Sequence, residues 1–232
     1  MNWNFTATTP DELANVGKSL LIASKQKHLD EQLQMTRLLE ALSAMSILQF
    51  PVRVQNAGER GTPDFQVESA GQRIAIEASK IAVQDVEHAR SLQRRELRQT
   101  LAISSLYRRK SKPRTKDEII AEGFLTPAMV FPVSFEEDNL IWLEAVTIEL
   151  DDKTDVLRGN HFDHGSQDWL TLWDRIGTAE GEIQQRIGAL RGILAPRWQS
   201  NWYSRVFLQD EHFRWIAMFS ATKHVFIPAG CC

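Results

Sequence analysis

The stretch from Gly61 to Lys80, G-T-P-D-F-Q-V-E-S-A-G-Q-R-I-A-I-E-A-S-K, leaves the chain few ways to fold. Phe65 and Val67 alternate with Asp64, Gln66 and Glu68. After Ser69-Ala70-Gly71, Ile74, Ile76 and Ala78 alternate with Arg73, Ala75, Glu77 and Ser79. Strict alternation on either side of a glycine-containing turn predicts a β-hairpin. Successive side chains on a strand point to opposite faces, so each strand has one apolar face, with Asp64 and Glu77 on the other. Antiparallel pairing sets the start of the first strand beside the end of the second, which brings the two carboxylates together. Two like charges held side by side on a sheet face call for a cation, and hard oxygen ligands suit Mg²⁺ or Mn²⁺.

These residues resemble the core motif of the PD-(D/E)xK nuclease superfamily. Pro63-Asp64 matches its first half. Glu77, after the apolar run Ile74-Ala75-Ile76, matches the acid of its second half. The lysine departs from the pattern: Ser79 stands two residues after the acid, and Lys80 follows it, nominally on the opposite face. A bulge in the strand would be needed to turn Lys80 inward. The resemblance implies an α/β protein with a restriction-endonuclease-like α-β-β-β-α-β core, a central mixed sheet flanked by helices, and a C-terminal α+β extension. It implies a metal-dependent nuclease in which Asp64 and Glu77 bind Mg²⁺ or Mn²⁺ and Lys80 takes the basic role. The carbonyl of Ala78 would be a further ligand, and Glu40, on the first core helix, the positional candidate for a third acid. DNA is favoured over RNA as the substrate.

The order of elements agrees with that reading. Thr9-Pro10-Asp11-Glu12 is a capped helix start. A second helix is predicted from about Asp30 to Leu48 on the stripe Met35, Leu38, Leu42 and Met45, and a strand from Phe50 to Gln55. After the hairpin, a long helix is expected from Val83 to about Arg109 and a fourth strand from Met129 to Val133. Leu140 to Leu150 fits either a strand or a short helix, and Asp151 to Gln167 reads as polar and turn-rich. Gln167 to Leu194 reads as helix, through Trp169, Leu172, Trp173 and Ile176. Strands are expected at Trp202 to Leu208, Phe213 to Ser220 and His224 to Ile227. The boundaries expected are an N-terminal helical extension (1–27), a nuclease-like core (28–136) and a C-terminal extension of helix plus β-strands (137–232), with that extension either separate from the core or part of the same domain.

The formal net charge of −3 excludes a uniformly basic protein, so any nucleic-acid surface has to be local. Arg90, Arg94, Arg95, Arg98, Arg108, Arg109, Lys110 and Lys112 lie between residues 90 and 116, where the one acid is Glu96. Such a run neutralises phosphates without regard to sequence. The plain alternative is a solvated helix face. His161-Phe162-Asp163-His164 brings two imidazoles and a carboxylate close, but its spacing matches no metal site, and a surface loop is the simpler reading. Trp198, Trp202 and Trp215, near Arg197, Arg205 and Arg214, suit either base stacking or core packing. Cys231 and Cys232, adjacent at the end, build no disulfide framework. With no leader and no membrane-length apolar run, a cytoplasmic location is expected. A homodimer is one allowed assembly.

Two other functions fit the same residues. A nuclease-like fold without its lysine would be an inactive nucleic-acid or protein binding module. An accidental motif would leave Asp64 and Glu77 on an open, solvated sheet face. Carboxylates within reach of one ion, and helices on both faces of the sheet, separate the first two readings from the last.

Overall fold

The computed structural model describes residues 3–22, 29–56, 62–82, 115, 117–118, 135–159, 162–176, 182–199, 202–210 and 214–228. Within them, eight strands form one mixed sheet in chain order: β1 (Asn4–Ala7), β2 (Val52–Asn56), β3 (Phe65–Ser69), β4 (Gln72–Ile81), β5 (Gln167–Asp174), β6 (Arg205–Asp210), β7 (Trp215–Phe219) and β8 (His224–Pro228). The helices are α1 (Pro10–Ile22), α2 (Leu29–Ala44), α3 (Phe135–Arg158) and α4 (Ile183–Leu194), with a 3₁₀ turn at Arg197–Gln199. None of these helices is long and apolar enough to cross a membrane. Two compact units divide the chain: Met1–Lys80 with Asp151–Cys232, and Ile81–Leu150. The first unit takes in the N-terminal extension, the start of the core and most of the C-terminal extension.

β1 to β4 form an antiparallel meander. The β3–β4 hairpin closes on two residues of positive φ, Ala70 (52°) and Gly71 (75°). Two such residues in succession give the turn whose twist matches that of the flanking strands. Along β4 and β5 the contacts run in the same order. Ser166 N–H donates to the Arg73 carbonyl at one end (2.7 Å), and Lys80 meets Trp173 at the other. The two strands therefore point the same way, and β6 is parallel to β5. β7 and β8 return antiparallel.

One face of the sheet packs on α2. Val54, Phe65, Ile76, Trp169, Phe207 and Met218 form a buried core with Met35, Leu38 and Leu42. Gln34 of α2 reaches the same face of β5, its amide 3.3 Å from the Thr171 hydroxyl. The opposite face carries Glu77, with the last two turns of α3 against it. Helices thus lie on both faces of the sheet.

The hairpin and the preceding helix and strand follow the alternation read from the sequence. Two later elements differ. Leu140 to Leu150 belongs to α3, which runs on to Arg158. Residues 167–174 are strand β5, not helix. From Trp169 to Asp174 β5 is buried at every position. A strand covered on both faces has no reason to alternate, and Trp169, Leu172 and Trp173 happen also to fit a helical stripe. The helix expected at 83–109 and the strand expected at 129–133 lie outside the described residues.

Candidate active site

The hairpin register pairs Phe65 with Ile76, which sets Asp64 opposite Glu77. Asp64 turns one carboxylate oxygen back onto β4, where it accepts a hydrogen bond from the Ala78 N–H (2.8 Å). Its side chain is 46% exposed, whereas that of Glu77 is 4% exposed. One carboxylate therefore faces the opening of the site and the other forms its floor.

A third charged group comes from a distant part of the chain. Lys153, in the second-last turn of α3, donates to Glu77 Oε2 at 2.5 Å, and its Nζ lies 3.8 Å from Asp64 Oδ2. Three contacts from residues 197–203 hold this end of α3. The Tyr203 hydroxyl donates to the Lys153 carbonyl (3.0 Å), Trp202 Nε1–H donates to the Thr154 hydroxyl (2.8 Å), and Arg197 pairs with Asp151. Tyr203 and Trp202 are both buried, so Lys153 is presented from a packed base.

Burial raises the Glu77 carboxyl from its ordinary 4.5 to about 7, and the Asp64 charge pushes it the same way; Lys153 opposes both. Burial, reinforced by the charges of Glu77, Asp168 and Asp64, raises the Tyr203 phenol, so it remains a proton donor to the Lys153 carbonyl. Two carboxylates share one ammonium. The site lacks one positive charge, and Glu77 takes up a proton near neutrality in compensation. A divalent cation would meet that deficit. The donor set, two carboxylate oxygens, suits Mg²⁺, which is commonly held by one or two carboxylates and completed by water and phosphate oxygens. Among the described residues, no group of three or more His, Cys, Asp or Glu is placed to hold a metal ion.

The other expected site residues fall elsewhere. Lys80 points to the α2 face, opposite Glu77, with Nζ 5.6 Å from the Trp173 ring centre. β4 pairs with β3 in unbroken register from Gln72 to Ile76. Glu40 pairs with Arg37 (2.8 Å) on α2 and lies against Gly17 of α1, where a Cβ would sit 2.6 Å from its Oε1. It is not brought to Asp64 and Glu77. Arg90, Arg94, Arg95, Arg98, Arg108, Arg109, Lys110 and Lys112 lie outside the described residues, as does His161. Asp163 binds Arg73 and Gln66, and His164 binds Asp168, so neither is left for a metal. Trp202 and Trp215 are buried. Arg197 and Arg214 pair with Asp151 and Asp210, and Arg205 stacks on Trp169.

Lys153 is the site residue that sequence reasoning missed. A signal for it existed. Trp142, Val146, Leu150, Thr154 and Leu157 are buried at helical spacing, which carries the helix through Lys153. Reading 151–167 as turn-rich cut that stripe short. Compared with protein-family models, curated proteins and solved structures, the chain matches none of them.

Proposed function

We propose that the protein is a metal-dependent nuclease of PD-(D/E)xK type that hydrolyses phosphodiester bonds of nucleic acid, with DNA as the favoured substrate. The observation that carries this reading is the convergence of Asp64, Glu77 and Lys153 on one face of the sheet. The order α2-β2-β3-β4-α3-β5, with four adjacent strands, supports a restriction-endonuclease-like core. The inactive-module alternative drew its strength from Ser79 at the lysine position. Lys153 supplies an ammonium to the same two carboxylates from a helix, and removes that argument.

Asp64 and Glu77 would hold Mg²⁺ or Mn²⁺, which when bound supplies charge stabilisation at the phosphate and a more acidic water. The protein's own groups do the rest. Asp64, open to solvent and fixed by the Ala78 N–H, faces the incoming phosphodiester. Glu77, buried, forms the floor of the site, and would lose its proton and stay ionised with a cation bound. Lys153 orients the attacking water and offsets the negative charge that grows on the phosphoryl oxygens. Water adds to phosphorus and gives up a proton to solvent, the bond from phosphorus to the leaving oxygen breaks, and the leaving oxygen takes up a proton from solvent. Tyr203, Trp202 and Arg197 position Lys153 without touching substrate.

Cleavage of plasmid DNA, single-stranded DNA and RNA with Mg²⁺ or Mn²⁺ tests the reading, with wild type set against D64A, E77A and K153A. Metal-dependent cutting that falls by about 10²–10³ or more in each variant is expected. A folded wild type that cuts none of the three substrates, or variants that cut as well as it does, would overturn the proposal.

A further inference from the structure

A small cavity of about 150 Å³ lies where the last turn of α4 meets the turn between β7 and β8. Arg191 of α4 and Lys223 and His224 of the hairpin line it, together with Ser220 and Thr222. Among the described residues no carboxylate lines it. Arg73, Arg186, Arg197 and Arg214 each pair with an acid. Arg191 and Lys223 have no such pair among the described residues. Placement in the last turn of α4 would account for Arg191 through the helix dipole. It does not account for two further basic side chains brought to the same cavity by a separate hairpin. Three basic side chains around so small a space suit a compact anion such as a phosphate group.

The cavity also has a structural link to the carboxylate site. Trp198 lines it and packs edge-on against Trp202, with ring centres 5.2 Å apart. Trp202 in turn donates to Thr154, the neighbour of Lys153. The two tryptophans thus join the wall of the cavity to the turn of α3 that carries Lys153. We propose that Arg191, Lys223 and His224 form a phosphate subsite for a non-scissile phosphate of the strand cut at Asp64, Glu77 and Lys153. This rests on the nuclease reading for the identity of the strand. Trp198 forms the wall between the two phosphates.

The test is fluorescence anisotropy with a labelled single-stranded DNA of about 12 nucleotides, a length within the usual range of strand-binding sites. EDTA keeps the strand uncut. R191Q/K223Q is expected to bind about ten-fold more weakly at low salt. The slope of log affinity against log salt should shrink by about 0.7–1.4, the loss of one or two neutralised phosphates. R191K/K223R should retain wild-type affinity. If the double variant does not fold, K223Q on the exposed turn carries the same comparison with a smaller loss. Wild-type affinity and slope in the glutamine variants would overturn the proposal, as would failure of the wild type to bind the strand. Inorganic phosphate that binds at these residues without displacing the strand would also overturn it, by making the cavity a site for free phosphate. Strand binding that depends on Arg191 and Lys223 in a protein that never cuts would sink the nuclease reading and leave the subsite standing.

Discussion

Glu77 is the residue on which the electrostatics of the site turn. In the unfolded chain its carboxyl titrates near 4.5, and in the folded, metal-free protein near 7. Between these values the folded state holds the proton more tightly than the unfolded state, so stability falls as pH rises. The contribution is fully present below pH 4.5 and lost above about 7, and a shift of this size is on the order of 3 kcal/mol. Urea denaturation of wild type in EDTA should therefore show a loss from pH 5 to pH 8 that is largely absent in E77Q, leaving the variant the more stable of the two at pH 8. A wild-type curve as flat as that of E77Q would sink this account. Mg²⁺ or Mn²⁺ at pH 8 should raise the melting temperature of wild type, because an ion that binds only the folded state stabilises it. E77Q should show little of that rise. Asp64 and Glu77 were legible because a hairpin brings partners together that are close in sequence. Lys153 was not, because it reaches Glu77 across 76 residues and only tertiary packing places it there.

The elements that carry these residues differ in how openly the sequence announces them. β3 alternates between buried and more open positions, whereas β5 is buried at every position from Trp169 to Asp174 and its Trp169-Leu170-Thr171-Leu172-Trp173 run suits strand or helix equally. Its start is set by a close approach that the sequence marks with a single glycine. A Cβ at Gly165 would lie 2.6 Å from the Arg73 carbonyl and 2.7 Å from the Ala75 nitrogen. Neither backbone atom has room to yield, so G165A should push the entry to β5 off β4. The expected cost is about 1–3 kcal/mol, the range of overpacked sites, read as a lower urea midpoint. At the end of α3, the Tyr203 hydroxyl makes one buried hydrogen bond to the Lys153 carbonyl. Y203F removes the hydrogen bond that the Tyr203 hydroxyl adds to that carbonyl, at about 0.5–1.5 kcal/mol. If Tyr203 acts by positioning Lys153, Y203F should lower kcat on DNA with KM little changed. A fall in stability with kcat intact would make it purely structural.

At the scale of the molecule, the sheet makes residues on either side of the 81–150 unit depend on each other. Leu38, Val54, Phe65 and Ile76, from before that unit, share one buried core with Trp169, Phe207, Ile216, Met218 and Ile227, from after it. A fragment of residues 1–136, the N-terminal extension and the core that the sequence boundaries mark out, ends before all five of the latter. It also leaves the outer edge of β4 without the strand it pairs with, and unpaired edges and exposed apolar faces invite association. Each buried side chain of this size contributes about 1.5–3 kcal/mol, so losing five removes about 7.5–15 kcal/mol, as much as the 5–15 kcal/mol by which a domain is normally stable. The fragment should therefore show no cooperative thermal unfolding by circular dichroism, and no metal-dependent cleavage, because Lys153 is absent. Supplying residues 137–232 as a separate chain restores both the missing half of the core and Lys153, and should recover a cooperative transition together with cleavage. A 1–136 fragment that melts cooperatively by itself would mean that β5 to β8 are an accessory to a self-sufficient core; cutting by that fragment would mean that Lys80, and not Lys153, is the lysine of the site.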